Sequence, residues 1–331
     1  MYSIKFQRSL RAIDQSLIYR SNDVDDRRIG DVLVHVKDIP QDAQVVCVLL
    51  GAPQHIGVER NGGRPGTAEG PSAFRRAFAK LAISAFEQHI SSGKLVLADA
   101  GDIETEGKTL EQIHDEQYDV VEELLSNGCI PIVIGGGHDT AWPTIRALES
   151  MAKPYGVVNI DAHADVRPLK DGGRAHSGSP FHQMLTQPSS HLAPGGFAEF
   201  GLQASSVAAA HLQAVRQAGM HVCMLDDVRS TGVMLAWEHV WSRIAGSGSV
   251  YVSLDLDAIA SAYAPGVSAP AADGFTPAEL ASVLRYAGAS GVLRAFDVVE
   301  LNPSYDLDNR TAKLAATLTY SVIEGLANRL Q

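Results

Sequence analysis

Apolar residues recur along this chain in short unbroken runs, separated by longer stretches in which they return every three or four positions. The runs at 45–50, 94–97, 130–134, 156–160, 197–202, 221–225, 250–254 and 292–299 predict strands. They do not alternate with polar residues, so each strand is expected to be buried on both faces. Between them, 71–82 opens on Gly-Pro, and Pro suits a first helical turn. The stretch 109–126 sets Leu110, Ile113, Val121, Leu124 and Leu125 on one helical face, with Gly128 as a stop. At 276–287, Thr276 and Glu279 form a capping-box pattern. The stretch 309–330 reads as a long closing helix. Strands alternating with helices predict an α/β protein with a mostly parallel sheet covered on both faces. In such folds ligands bind beyond the carboxyl ends of the strands. No repeat, low-complexity segment or Pro/Gly/Ser linker breaks the pattern, so residues 1–331 are expected to form one domain.

Composition narrows the class without naming a chemistry. Hydrophobic residues make up 45% and charged residues 20% of the chain, as in ordinary globular enzymes. A formal charge of -11, from 27 basic and 38 acidic residues, speaks against a nucleic-acid-binding surface. The chain lacks the run of about 18 apolar residues that a membrane span needs. The opening MYSIKFQRSL lacks the apolar core of a signal segment, and a cytoplasmic protein is expected. Cys47, Cys129 and Cys223 lie far apart in apolar surroundings and read as buried packing thiols.

The chemistry sits where apolar runs end. IPIVIGGGHD places His138 after a strand and three glycines. GVVNIDAHADVR places Asp161, His163 and Asp165 after the next strand, and VYVSLDLDAI places Asp255 and Asp257 after another. Residues i, i+2 and i+4 of an extended chain share a side, so each group is expected to converge. Burying so many carboxylates and imidazoles together without countercharge would be very costly. Divalent cations resolve that cost. Oxygen and nitrogen donors with no thiolate favour Mn²⁺. GGGHD lacks the Lys-Ser/Thr of a phosphate loop, which argues against that alternative.

GGGHD, NIDAHADVR and SLDLDAI, in this order and spacing, resemble the arginase/agmatinase (ureohydrolase) superfamily, from about residue 45 to the end. The resemblance implies a three-layer α/β/α sandwich around a parallel sheet of about eight strands, two Mn²⁺ ions per subunit, and trimers or hexamers. It implies that His138 and Asp165 bind one ion, His163 and Asp257 the other, and that Asp161 and Asp255 bridge both. The stretches RNGGRPGTAEGPSAFR, FGLQASS and VVELNPSYDLDNRTAKLAA are similar to the formimidoylglutamase branch. That branch hydrolyses N-formimidoyl-L-glutamate to L-glutamate and formamide, by attack of a metal-bridging hydroxide on the formimidoyl carbon. An agmatinase, a guanidinobutyrase or another guanidino-acid hydrolase releasing urea is the alternative.

Asp165 is a candidate to accept the proton of the attacking water. Glu300, just past the last strand, is a candidate to pair with a cationic amidine; its bland role is to cap the following Asn-Pro turn. A substrate with two carboxylates needs positive charge nearby. Arg167 is the first candidate to hold one of them by a two-pronged contact, with Arg64 and Asn61 in the glycine-rich loop behind it. Arg310 is expected to cap or brace the final helix rather than to hold substrate. The superfamily's proton-shuttling histidine position holds Ser177 in AHSGSPF. His176, one residue earlier, is the candidate general acid.

Overall fold

The computed structural model describes residues 4, 6, 10–187 and 189–330. Its strands are β1 Leu10–Arg11, β2 Val34–His35, β3 Val45–Gly51, β4 Leu95–Ile103, β5 Ile130–Ile134, β6 Tyr155–Ile160, β7 Leu192–Leu202, β8 His221–Met224, β9 Val250–Asp255 and β10 Leu293–Val299. They form one sheet in the order β1-β4-β3-β5-β10-β9-β6-β7-β8, with β2 alongside β4. β1 runs antiparallel to β4, and every other pairing among the described residues is parallel.

The eight apolar runs are the eight longer strands. β4 continues to Ile103, beyond the expected end near Leu97, because Asp99 and Asp102 break the apolar pattern yet are satisfied inside. Arg75, itself buried, reaches Asp99 at 2.8 Å and Asp102 at 2.5 Å. The two-residue strands β1 and β2 are too short to carry a periodic signal.

Both sheet faces are covered, as unbroken apolarity requires. On β3, Val46, Val48 and Leu50 pack with Ile113, Val121 and Leu124 of the helix Leu110–Ser126. Cys47 and Leu49 face the other way, toward Phe74 and Phe78 of Gly70–Phe78 and toward Leu318 and Val322 of Arg310–Ala327. Helices Ala141–Ser150 and Pro180–Thr186 extend the first layer across Val157, Phe197 and Tyr251. Helices Val233–Ile244 and Pro277–Ala289 extend the second across Phe200, Val252 and Phe296. The result is a three-layer α/β/α sandwich.

Local signals set the helix ends. Thr109 with Gln112, and Thr276 with Glu279, form complete capping boxes. Gly128 closes its turn at φ 76°. Gly70–Phe78 ends earlier than the apolar pattern to 82 suggests. Two cysteines are buried, but Cys223 is only half-buried because β8 is an edge strand. Among the described residues, no helix is long and apolar enough to cross a membrane.

Candidate metal centre

Four neighbouring strands, β5, β10, β9 and β6, bring their carboxyl ends to the middle of the sheet. β5 leads through three glycines to His138, which starts a 3-10 turn. The glycines are needed because a Cβ on Gly136 would overlap the Gln54 carbonyl oxygen. β6 delivers Asp161, β9 ends on Asp255, and β10 is followed directly by Glu300.

The expected extended geometry is not what gathers the ligand-type side chains. β6 ends at Ile160, and the next residues bend. Asp161 Oδ1 accepts the His163 N–H at 2.7 Å, and Asp255 Oδ1 accepts the Asp257 N–H at 2.8 Å. These Asx-type turns fold each chain back on itself. Asp165 and Glu300 then adopt positive φ, 44° and 64°, a conformation that costs free energy in non-glycine residues and persists where the surroundings impose it.

The outcome is convergent nonetheless. His138 Nδ1 lies 3.2 Å from Asp161 Oδ2, 3.0 Å from Asp165 Oδ2 and 3.2 Å from Asp255 Oδ2. His163 Nδ1 lies 3.1 Å from Asp257 Oδ2 and 3.5 Å from Asp161 Oδ1. Two metal-competent sets result: His138, Asp161, Asp165 and Asp255, and Asp161, His163 and Asp257, each with its ligand atoms within 4.8 Å of one another. Asp161 belongs to both sets, whereas Asp255, expected to bridge, falls in the first.

Crowding is visible in the electrostatics. Burial, then the charges of Asp257 and Asp161, drives Asp255 well above the usual carboxylate range. Burial, with Asp161 close by, pushes Asp257 up to about 7. Burial and Asp255 raise Glu300. Burial opposes charging His138, but its contacts with Asp161, Asp165 and Asp255 outweigh this and raise it well above normal. Asp257 raises His163 likewise. His138 Nδ1 and Asp257 Oδ1 are buried without a hydrogen-bond partner. Carboxylates facing unpaired imidazole nitrogen, with no thiolate, fit divalent cations bound by oxygen and nitrogen.

A cavity of about 190 Å³ opens on the cluster. His163, Asp165, Asp255, Asp257, Glu300, Asn61, Arg167, Ser177 and Ser268 line it. A larger cavity, of about 300 Å³ beside Trp142 and Arg146, contains none of these groups. Glu300 Oε1 accepts the His138 N–H at 3.0 Å, while Oε2 has no partner. Asn61 Oδ1 accepts from Arg167 at 3.2 Å, and Asn61 Nδ2 donates to Ser177 at 3.1 Å.

Two candidates do not reach the cavity. Arg64 donates to the Ser268 and Val267 carbonyls and stacks 3.8 Å over the Tyr305 ring. His176 is buried; its Nε2 donates to the Pro168 carbonyl at 3.0 Å and its Nδ1 accepts from Gly178 N–H at 3.2 Å. With both nitrogens on backbone, it staples the loop and has none left for a substrate proton. Arg310 donates to the Ala262 carbonyl, bracing the final helix as expected. Ser253, Asn159 and Asp297, buried beneath the candidate ligands, are not among the residues expected from the sequence. The available signal was a polar residue inside an otherwise apolar strand, two positions before a ligand in the first two cases.

The fold and the cluster define a family. The arginase family model matches residues 45–324, and the chain belongs to the arginase family. It is 36% identical to the formimidoylglutamase of Aromatoleum aromaticum, over 89% of this chain and 87% of that protein. The crystal structure of Trypanosoma cruzi formiminoglutamase with Mn²⁺ superposes with a TM-score of 0.82 at 34% identity, covering 92% of this chain and 99% of that one. Proclavaminate amidino hydrolase from Streptomyces clavuligerus is more distant, with a TM-score of 0.75 at 28% identity over 88% of this chain and 94% of that one.

Proposed function

We propose that this chain is a binuclear manganese hydrolase converting N-formimidoyl-L-glutamate and water to L-glutamate and formamide, in a single domain. One observation carries the chemistry: two oxygen-and-nitrogen ligand sets share the buried Asp161, and their members His163, Asp165, Asp255 and Asp257 line a cavity. Relatives called formimidoylglutamase, at up to 36% identity over most of the chain, support the substrate. The Mn²⁺-bound Trypanosoma cruzi formiminoglutamase supports the metal.

His138, Asp161, Asp165 and Asp255 would hold one ion, and Asp161, His163 and Asp257 the other. When bound, the ion pair supplies Lewis acidity that makes water nucleophilic near neutral pH. Asp165 takes the proton that water loses, at a carboxylate oxygen facing the cavity. Glu300 Oε2 pairs with the protonated amidine and orients its carbon. Arg167, held by Asn61, receives a substrate carboxylate, and Ser177 steadies Asn61. Arg64 shapes the rim through the 267–268 backbone, and His176 braces the loop that presents Ser177. A homo-oligomer in the cytoplasm completes the reading.

The experiment is an assay of purified protein with Mn²⁺, scoring formamide and glutamate against urea. Formimidoylglutamate turnover is expected. Urea from a guanidino substrate, with formimidoylglutamate untouched, would transfer the chain to the alternative activity.

A further inference from the structure

Two residues before the strand-end aspartates Asp161 and Asp255, a row of polar side chains crosses the sheet. Strand register aligns Glu199 of β7 with Asn159 of β6, Asn159 with Ser253 of β9, and Ser253 with Asp297 of β10. All four are completely buried. A buried polar row in a sheet core is costly unless its members satisfy one another or serve a site.

The hydrogen bonds in this row have a direction. Asp297 Oδ1 accepts the Leu254 N–H at 3.3 Å, so it acts as an acceptor. Ser253 Oγ, at 2.7 Å, therefore gives its one proton to Asp297 Oδ1. Tyr251 occupies the other oxygen, Oδ2. With its proton committed, Ser253 Oγ can only accept from His138 Nε2, 2.9 Å away. A neutral His138 must then carry its proton on Nε2 and present a bare lone pair on Nδ1, the atom facing Asp161, Asp165 and Asp255. At the other end, Asn159 Nδ2 donates to Asp161 Oδ2 at 3.2 Å and to Glu199 Oε2 at 2.8 Å. Asp161 Oδ2 is the oxygen that faces His138.

Both contacts fall on the His138 side: Asp161 is shared by the two sets, but its Oδ2 faces His138 and its Oδ1 faces His163. Among the described residues, no hydrogen bond from the row reaches His163 or Asp257. We propose that Ser253 and Asp297 are positioning residues that lock the His138 tautomer, so that this pair sets the affinity of the cation site that includes His138, Asp165 and Asp255 and leaves the site that includes His163 and Asp257 unaffected. This rests on the reading that the cluster holds two cations.

The test is Mn²⁺ binding by calorimetry on the full chain, with melting of the metal-free proteins as a fold control. Wild type should bind two ions per chain. Ser253→Ala should weaken one ion by about 10–100-fold, the usual effect of losing an outer partner of a ligand histidine, with the other unchanged. In a His163→Asn background the Ser253→Ala change should weaken the remaining ion; in a His138→Asn background it should do nothing. Asp297→Asn keeps an acceptor toward Ser253 and should bind both ions within about threefold of wild type. Equal weakening of both ions by Ser253→Ala, or no weakening, overturns the proposal. So does a loss in Asp297→Asn as large as in Ser253→Ala, because charge rather than proton direction would then be at work. A wild type that binds fewer than two ions overturns the two-cation reading along with it.

Discussion

Glu300 joins one carboxylate oxygen to the His138 N–H and leaves Oε2 unpaired inside the cavity wall. Replacing it by Gln keeps shape and the first contact but removes the charge. A charge-assisted bond is worth about 1.5–3 kcal/mol. Glu300→Gln should therefore lower kcat/KM for formimidoylglutamate by about 10–100-fold with Mn²⁺ content unchanged, read by formamide release and metal analysis. Full activity in that variant would remove Glu300 from substrate binding. The cysteines give a second residue-scale expectation. Burial pushes Cys47 and Cys129 up to about 12 and Cys223 to about 11. A thiol reagent at neutral pH should label Cys223 first and slowly, and the other two only on unfolding; early labelling of Cys47 would contradict the packing described. At this scale the ligand candidates stand out because charge after an apolar run is conspicuous, and the structure brings them together. Arg64 and His176 were misjudged because sequence position says nothing about which carbonyl a side chain finds first.

At the scale of elements, the helix Gly70–Phe78 is tied to β4 by Arg75, which bridges Asp99 and Asp102 where solvent is absent. Removing one partner of a buried charge network is severe because it leaves the rest uncompensated. Arg75→Ala should cost about 3–5 kcal/mol in urea unfolding of the metal-free protein. A loss below about 1 kcal/mol, the scale of an exposed pair, would mean that water reaches the two aspartates. The same clamp explains why the apolar pattern ended β4 too early. The capping boxes at Thr109 and Thr276 were legible because both partners lie three residues apart. The Asx-type turns at Asp161 and Asp255 were not, because alternation along an extended strand predicts the same convergence by a different route.

For the whole molecule, the centre concentrates buried acids, and stability must depend on pH. Burial raises Asp297 to about 6 despite the donors around it. A carboxyl raised in the folded state stabilises fully below its unfolded value of about 4. That contribution is lost as pH climbs through about 6, so at neutral pH the group costs roughly 3 kcal/mol. Asp297→Asn removes the term. The stability of the metal-free variant relative to wild type should rise by about that amount between pH 4 and pH 7.5 in urea titrations; a constant difference across that range would show that Asp297 is ordinary. Loading with Mn²⁺ should raise the melting temperature, since a ligand held at 100 times its Kd adds about 2.7 kcal/mol per site.

The layered α/β plan, the eight long strands and the candidate ligand types are all legible along the chain. Those follow from local burial and from chemistry that one short segment can carry. Tertiary structure alone decided which strands stand side by side, and hence that β5, β10, β9 and β6 share one rim. It decided that Arg167 faces the cavity while Arg64 and His176 turn to backbone carbonyls. It also assembled Glu199, Asn159, Ser253 and Asp297 into one row, from four strands whose order in space is not their order in the chain. Apolar periodicity records whether a residue is buried, but not beside what.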